Sequence, residues 1–145
     1  MHLGKILLSL LILIVVAHYA GIVGNLYWTL PWYDIPMHIA GGVWVGLLFF
    51  YLMERRTGNP MRDPLVPLLL RTLGFVALVG VAWEFYEYVS DVFILHKYAW
   101  GDALSGQAFD TLKDLFNDLL GAFLASLWYR FRAKKPASLR NPSHS

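Results

Sequence analysis

The sequence predicts an all-α polytopic membrane protein, a four-transmembrane-helix bundle with both termini cytoplasmic. Three observations predict it. Hydrophobic residues make up 57% of the 145 and charged residues only 15%, against about 45–50% and about 25% in soluble domains. The apolar residues gather into four runs of about 20 residues or more, the length that crosses a bilayer. Lys and Arg collect at alternate ends of those runs, a bias that fixes orientation. A chain of this length holds one domain, read as residues 1–132, followed by a basic polar cytoplasmic tail over 133–145.

The first span covers about 3–23. Lys5 ahead of an apolar run resembles a signal peptide, but His18 and Tyr19 stand where a small-residue cleavage site would need Ala-like positions, so a retained helix is expected. Residues 24–36 carry Asn25, two prolines and an aromatic belt of Tyr27, Trp28, Trp32 and Tyr33, the composition of an interfacial loop. The second span, about 34–53, opens at Asp34 with Pro36 in its first turn, where a missing N–H costs nothing. A polar turn with Gly58 and Pro60 leads to the third span, about 65–93, long enough to require tilt or extension beyond the bilayer. Residues 95–109 are expected as a loop with room for a short interfacial helix, and the fourth span covers about 110–129.

One side of the membrane receives Lys5, Arg55, Arg56, Arg62, Arg71, Arg130, Arg132, Lys134, Lys135 and Arg140; the other receives only Lys97 and Lys113. The positive-inside rule places the first set in the cytoplasm and the 24–36 and 94–109 loops outside. The expected partners are membrane lipids. With a net charge of +2, no nucleic acid is expected. Cysteine is absent, which removes disulfides, thiolate metal sites and a Cys nucleophile.

Against this apolar background the ionisable residues are conspicuous. Asp34 and His38 open the second span, Glu84, Glu87 and Asp91 close the third, and Asp110, Asp114 and Asp118 open the fourth. An Asp at the centre of a membrane helix costs roughly 2.5 kcal/mol or more, so such residues mark function by default. All lie in the outer halves of their helices; at about 1.5 Å per residue, Glu84 and Asp118 sit roughly 12 Å from the outer ends. The spacings i, i+3, i+7 on the third span and i, i+4, i+8 on the fourth put each set on one face. Carboxylates gathered this closely repel one another unless a cation binds or protons are shared.

The candidate metal ligands are therefore His38, Glu84, Glu87, Asp114 and Asp118. His18, Asp34, Asp91, Asp110 and Asn117 form a candidate additional set. For Asp34, Asp91 and Asp110 a bland role competes, because carboxylates favour helix N-termini and headgroup-level positions. For Glu84, Glu87, Asp114 and Asp118, one to two turns inside apolar sequence, it does not suffice. His18 reads equally well as a hydrogen-bonded packing residue. A carboxylate set with one or two imidazoles suits a divalent metal cation (Mg, Mn, Ca, Fe or Zn) without selecting among them. Gly42-x-x-x-Gly46 has the spacing of a close helix contact, and offers a face for a homo-oligomer.

The series Asp34-x-x-x-His38, Trp83-Glu84-x-x-Glu87, Asp91, Gly101-Asp102 and Asp110-Thr111-x-x-Asp114-x-x-x-Asp118-x-x-Gly121-Ala122 resembles the YjdF-type family of uncharacterised bacterial inner-membrane proteins. More distantly it is similar to VanZ-like membrane proteins, which usually have Gln where Glu87 stands. The likeness covers residues 34 to 122, although this chain is shorter and has fewer spans than the first family leads one to expect. It implies a bacterial inner (plasma) membrane location and joint action of His38, Glu84, Glu87, Asp110, Asp114 and Asp118, but names no reaction.

Three function classes fit. The leading one is a divalent-cation site facing the extracytoplasmic side and serving metal-dependent chemistry on a lipid-linked or membrane-embedded substrate. The second is a proton- or cation-coupled transporter or channel using the same carboxylates. The third is a non-catalytic membrane interaction protein. Below Glu84 and Asp118 the helices are nearly all apolar, which favours a one-sided site over a conduction path.

Overall fold

Helix-forming apolar runs, punctuated by prolines and Gly58, give five α-helices among the described residues: α1 (Leu3–Val23), α2 (Leu26–Thr29), α3 (Asp34–Thr57), α4 (Leu65–Val89) and α5 (Ala103–Ala133), with a π-helical turn, Ser90–Ile94, continuing α4. The computed structural model describes residues 3–58, 63–94 and 103–133, and no strand occurs among them. Gly101-Asp102, His2, His96, His144 and the basic tail beyond Ala133 lie outside these residues. Gly58 ends α3 at φ 86°, a left-handed conformation that glycine adopts without penalty. Arg55 and Arg56 occupy the last turn of α3, complementing its dipole.

Among the described residues three helical stretches are long and apolar enough to cross a membrane: Leu3–Val23, Asp34–Arg56 and Leu65–Ile94. α5 is longer, at 31 residues, but Asp110, Lys113, Asp114 and Asp118 load its first half with charge. It begins before Asp110, so part of the segment expected as a loop is helical. The 24–36 connection likewise contains α2, entered through Asn25 at φ 53°, a conformation Asn tolerates.

α3 is the centre of the molecule, packing on α1, α4 and most extensively on α5. The α3–α5 contact is backbone against backbone. A Cβ on Gly42 would collide with the main chain of Asp118, and one on Gly121 with the Ile39 carbonyl and the Val43 nitrogen. Gly46 packs on Ala122 and Ala125 one turn further. Small residues let helices approach this closely. The Gly42/Gly46 face expected to serve a homo-oligomer thus packs on α5 of the same chain.

One end of the bundle is a packed apolar core of Leu3, Leu7, Leu47, Phe50, Leu68, Ala125 and Tyr129. The Phe50 and Tyr129 rings stack at 4.2 Å, and the Tyr129 hydroxyl donates to Glu54 Oε1 at 2.6 Å. α1 is held to α3 by Trp44, whose Nε1–H donates to the Leu7 carbonyl at 2.9 Å. At its other end Tyr33 donates to the Ala17 carbonyl at 2.8 Å. The Tyr27 and Tyr33 rings fill the notch at Gly21, where a Cβ would come within 2.7 Å of either. Most of the remaining α1 surface is exposed and apolar, including Leu8, Ile12, Leu13 and Val16, the surface expected of a lipid-facing helix.

Candidate functional site

The glycine contact builds the site. His38 is one turn before Gly42 on α3, and Asp118 supplies the backbone that Gly42 touches on α5, so the closest approach of the two helices brings their polar groups together one turn above it. Asp118 Oδ1 lies 3.3 Å from His38 Nδ1. The other imidazole nitrogen, Nε2, is 3.4 Å from Asp34 Oδ1 and 3.9 Å from Asp114 Oδ1. From α4, Gly80 admits Asp118 Oδ2, to which a Cβ there would come within 2.7 Å, and Glu84 and Glu87 complete the wall.

Among the described residues two groups could hold a cation: Asp34, His38 and Asp114, and His38, Glu84 and Glu87, with the potential ligand atoms of each within 4.8 Å of one another. His38 belongs to both. His38 is 7% exposed, Asp114 3% and Asp118 7%. Buried carboxylates ordinarily find donors, yet Glu84 Oε1 and Asp114 Oδ1 accept no hydrogen bond among the described residues, and the buried Asn117 amide nitrogen donates none.

Lys113 has a role here that its sequence position did not reveal. Its ammonium lies 2.6 Å from Asp110 Oδ1 and 3.4 Å from both Asp34 Oδ2 and Asp114 Oδ1. The Asp110-x-x-Lys113 spacing, i, i+3 on one helix face, was the available signal; its reach to Asp34 on α3 needed the packing. The Asp34–His38–Asp114 group is therefore served by an internal cation, whereas the Glu84–Glu87 side is not. Six carboxylates (Asp34, Glu84, Glu87, Asp110, Asp114 and Asp118) surround one imidazole and one ammonium, with Asp110 at the exposed edge. Full ionisation leaves the pocket net negative even with His38 protonated, and like charges in a poorly solvated site repel strongly.

The remaining candidates separate. Asp110 is largely exposed and holds Lys113. Asp91 lies in the π-helical turn, outside both groups. His18 does not reach the carboxylates; its Nδ1 lies 2.8 Å from the Tyr27 hydroxyl. Tyr27 sits in the connection outside the long apolar helices. Burial first, then the charge of Asp34, pushes its hydroxyl up to about 12, so it stays protonated at neutral pH.

A cavity of about 380 Å³ leads away from the cluster between α1 and α4, across the face of α3. Asp34, His38, Glu87 and Asp118 line its polar end beside His18 and Tyr27; Leu11, Val45, Val76 and Val79 are among its apolar walls. Of the α1 residues in this enclosure, His18 was among the candidates read from the sequence, and the apolar wall of Leu11, Ile14 and Val15 was not.

Among the described residues the fold is that of an all-helical membrane protein, with a buried Asp/His group whose ligand atoms lie close enough together that they could bind a metal ion. The chain belongs to the family described as predicted membrane protein (DUF2238), whose match spans residues 1–135. That match gives no support to the VanZ-like resemblance. No curated protein and no solved structure matches the chain.

Proposed function

We propose that the protein is a four-span membrane protein of the bacterial inner membrane that binds a divalent cation at His38, Glu84 and Glu87, on the extracytoplasmic side, for chemistry on a membrane-embedded substrate. The observation that carries this reading is the buried Glu84 Oε1, left without a donor beside an imidazole and a second carboxylate within ligand reach. Lys113 supports the choice of this group over Asp34–His38–Asp114, because a divalent ion there would sit against an ammonium already in place. Asp118 takes the part of the carboxylate that orients a ligand histidine, holding Nδ1 and fixing the ring. A bound ion would polarise a phosphoryl or carbonyl oxygen or activate water, and the carboxylates left free would accept the proton. The packed apolar end around Phe50 and Tyr129 favours a one-sided site over transport, which needs a path to the cytoplasm.

Direct binding tests the reading. Purified protein titrated with Mn²⁺ and followed by electron paramagnetic resonance is expected to take up one equivalent, lost in Glu84→Gln and Glu87→Gln. Lys113→Gln, which removes the internal cation, is expected to keep the stoichiometry at one equivalent, because His38 is shared by both groups and its Nδ1 faces Asp118. Failure to bind Mn²⁺, Mg²⁺, Ca²⁺, Fe²⁺ or Zn²⁺ would overturn the assignment.

The proposed topology has α5 crossing with its charged face turned to α3 and α4. A cysteine replacing Trp28 is expected to react with a membrane-impermeant maleimide on intact cells, and one replacing Arg56 to be protected until the cells are lysed. Labelling of Arg56→Cys on intact cells would place the site in the cytoplasmic half.

A further inference from the structure

The cavity between α1 and α4 needs an occupant. Its walls are apolar along Leu11, Ile14 and Val15 on α1, Trp44 and Val45 on α3, and Val76 and Val79 on α4. Water gains too few polar partners there to remain. An empty space of 380 Å³ forfeits the contacts that stabilise packed interiors, and this volume is in the range of ligand pockets. The rim residues Val15, Val79 and Trp83 are exposed, so the cavity communicates with whatever surrounds the bundle, and beside long apolar helices that medium is hydrocarbon.

Gly41 adds to the open space of the cavity. Gly42, Gly46, Gly80 and Gly121 lie where a Cβ would press on a neighbouring helix, whereas Gly41, like Gly74 on α4, has open space beside it. A Cβ on Gly41 meets nothing within 4 Å, and Gly41 lines the cavity one turn below His38. No contact in the fold requires a glycine there. Space kept clear directly beneath the ionisable cluster suits a molecule that passes between them.

We infer that the cavity holds one hydrocarbon chain of a phosphate-headed lipid from the outer leaflet, with its phosphate at the His38–Glu84–Glu87 cation. The direction is right for such a lipid. From His18 and Asp34 at the polar end to Leu11 and Val76 at the other, the cavity runs down the helices toward the bilayer middle; the seven residues from Leu11 to His18 correspond to roughly 10 Å. The cation decides the head group. Asp34, Glu87 and Asp118 alone repel phosphate, whereas a bound divalent ion with open coordination positions accepts phosphate oxygens. The inference therefore rests on the proposed metal site for the head and on the cavity alone for the chain.

The test uses the full-length protein in phosphatidylcholine nanodiscs with a long-chain alkyl phosphate carrying a diazirine at mid-chain, irradiated with Mn²⁺ or with chelator, and the cross-links mapped by mass spectrometry. Cross-links at Val45 and Val79 are expected with Mn²⁺, with loss on chelation, loss in Gly41→Leu, and no competition from inorganic phosphate at equal concentration. Val79→Phe, which narrows the cavity from the opposite wall, is expected to act like Gly41→Leu, so the result does not depend on one variant folding. Melting with and without Mn²⁺ is recorded for each protein. Cross-links confined to outward residues such as Leu8 and Leu78, equal in wild type and both variants, would overturn the inference, while a retained Mn²⁺ melting shift would leave the metal reading standing. Val45 and Val79 cross-links that ignore chelator but vanish in Gly41→Leu and Val79→Phe would support the chain and sink the cation-held phosphate.

Discussion

Saturating divalent cation is expected to raise the melting temperature of the wild-type protein by roughly 5–10 °C, and Glu84→Gln and Glu87→Gln are expected to abolish that response. An ion that binds only the folded state contributes RT ln(1 + [L]/Kd), about 2.7 kcal/mol at a concentration one hundred times Kd. For a chain of this size each kcal/mol moves the midpoint by a few degrees. In the absence of metal the sign reverses. Replacing either glutamate removes one negative charge from a pocket in which six carboxylates face Lys113 and His38, so the variants are expected to melt at or slightly above the wild type. Asp110→Asn serves as the comparison: Asp110 is exposed and outside both candidate groups, so the metal response should persist. The measurement is a melting series over divalent cations and pH. A wild-type curve unmoved by every cation but steeply dependent on pH, with that dependence lost in the glutamate variants, would replace the metal by shared protons and favour a proton-coupled role.

Adjacent glycines on α3 are expected to behave oppositely. Gly42→Ala places a methyl group against the Asp118 backbone, and neither helix can yield without moving as a whole. Overpacking of this kind costs about 1–3 kcal/mol, and the rigid backbone on both sides puts Gly42 at the upper end. Gly41→Ala meets open space and gains the helix propensity that glycine lacks, roughly 0.5–1 kcal/mol. Thermal or denaturant unfolding in detergent is expected to separate the two variants clearly, with Gly121→Ala following Gly42→Ala because its Cβ would meet the α3 backbone from the other side. Gly42→Ala should also weaken the metal response, since it forces apart the helices that hold His38 against Asp118. Equal stability of Gly41→Ala and Gly42→Ala would rule out the α3–α5 crossing described above.

The four long helices were legible in the sequence, while α2 and the part of α5 before Asp110 were not. Apolar runs bounded by Pro36, Gly58 and Pro64 mark helices, because in a bilayer the backbone must satisfy its own hydrogen bonds. Charges at i, i+3, i+4, i+7 or i+8 share a face in any helix, so the Glu84–Glu87 and Asp114–Asp118 faces were legible before any packing was known. The same spacing rules cannot say which faces meet. Helix packing brings Gly42 and Gly121 together backbone to backbone, and His38 therefore stands between Asp118, Asp34 and Asp114. It also decided that the Gly42/Gly46 face is used within the chain, that Lys113 serves Asp34 on another helix, and that His18 turns to Tyr27. Periodicity fixes the direction of a side chain about its own helix axis; partners are fixed by the relative rotation and depth of two helices, which here follow from where glycine removes the side chain that would hold them apart.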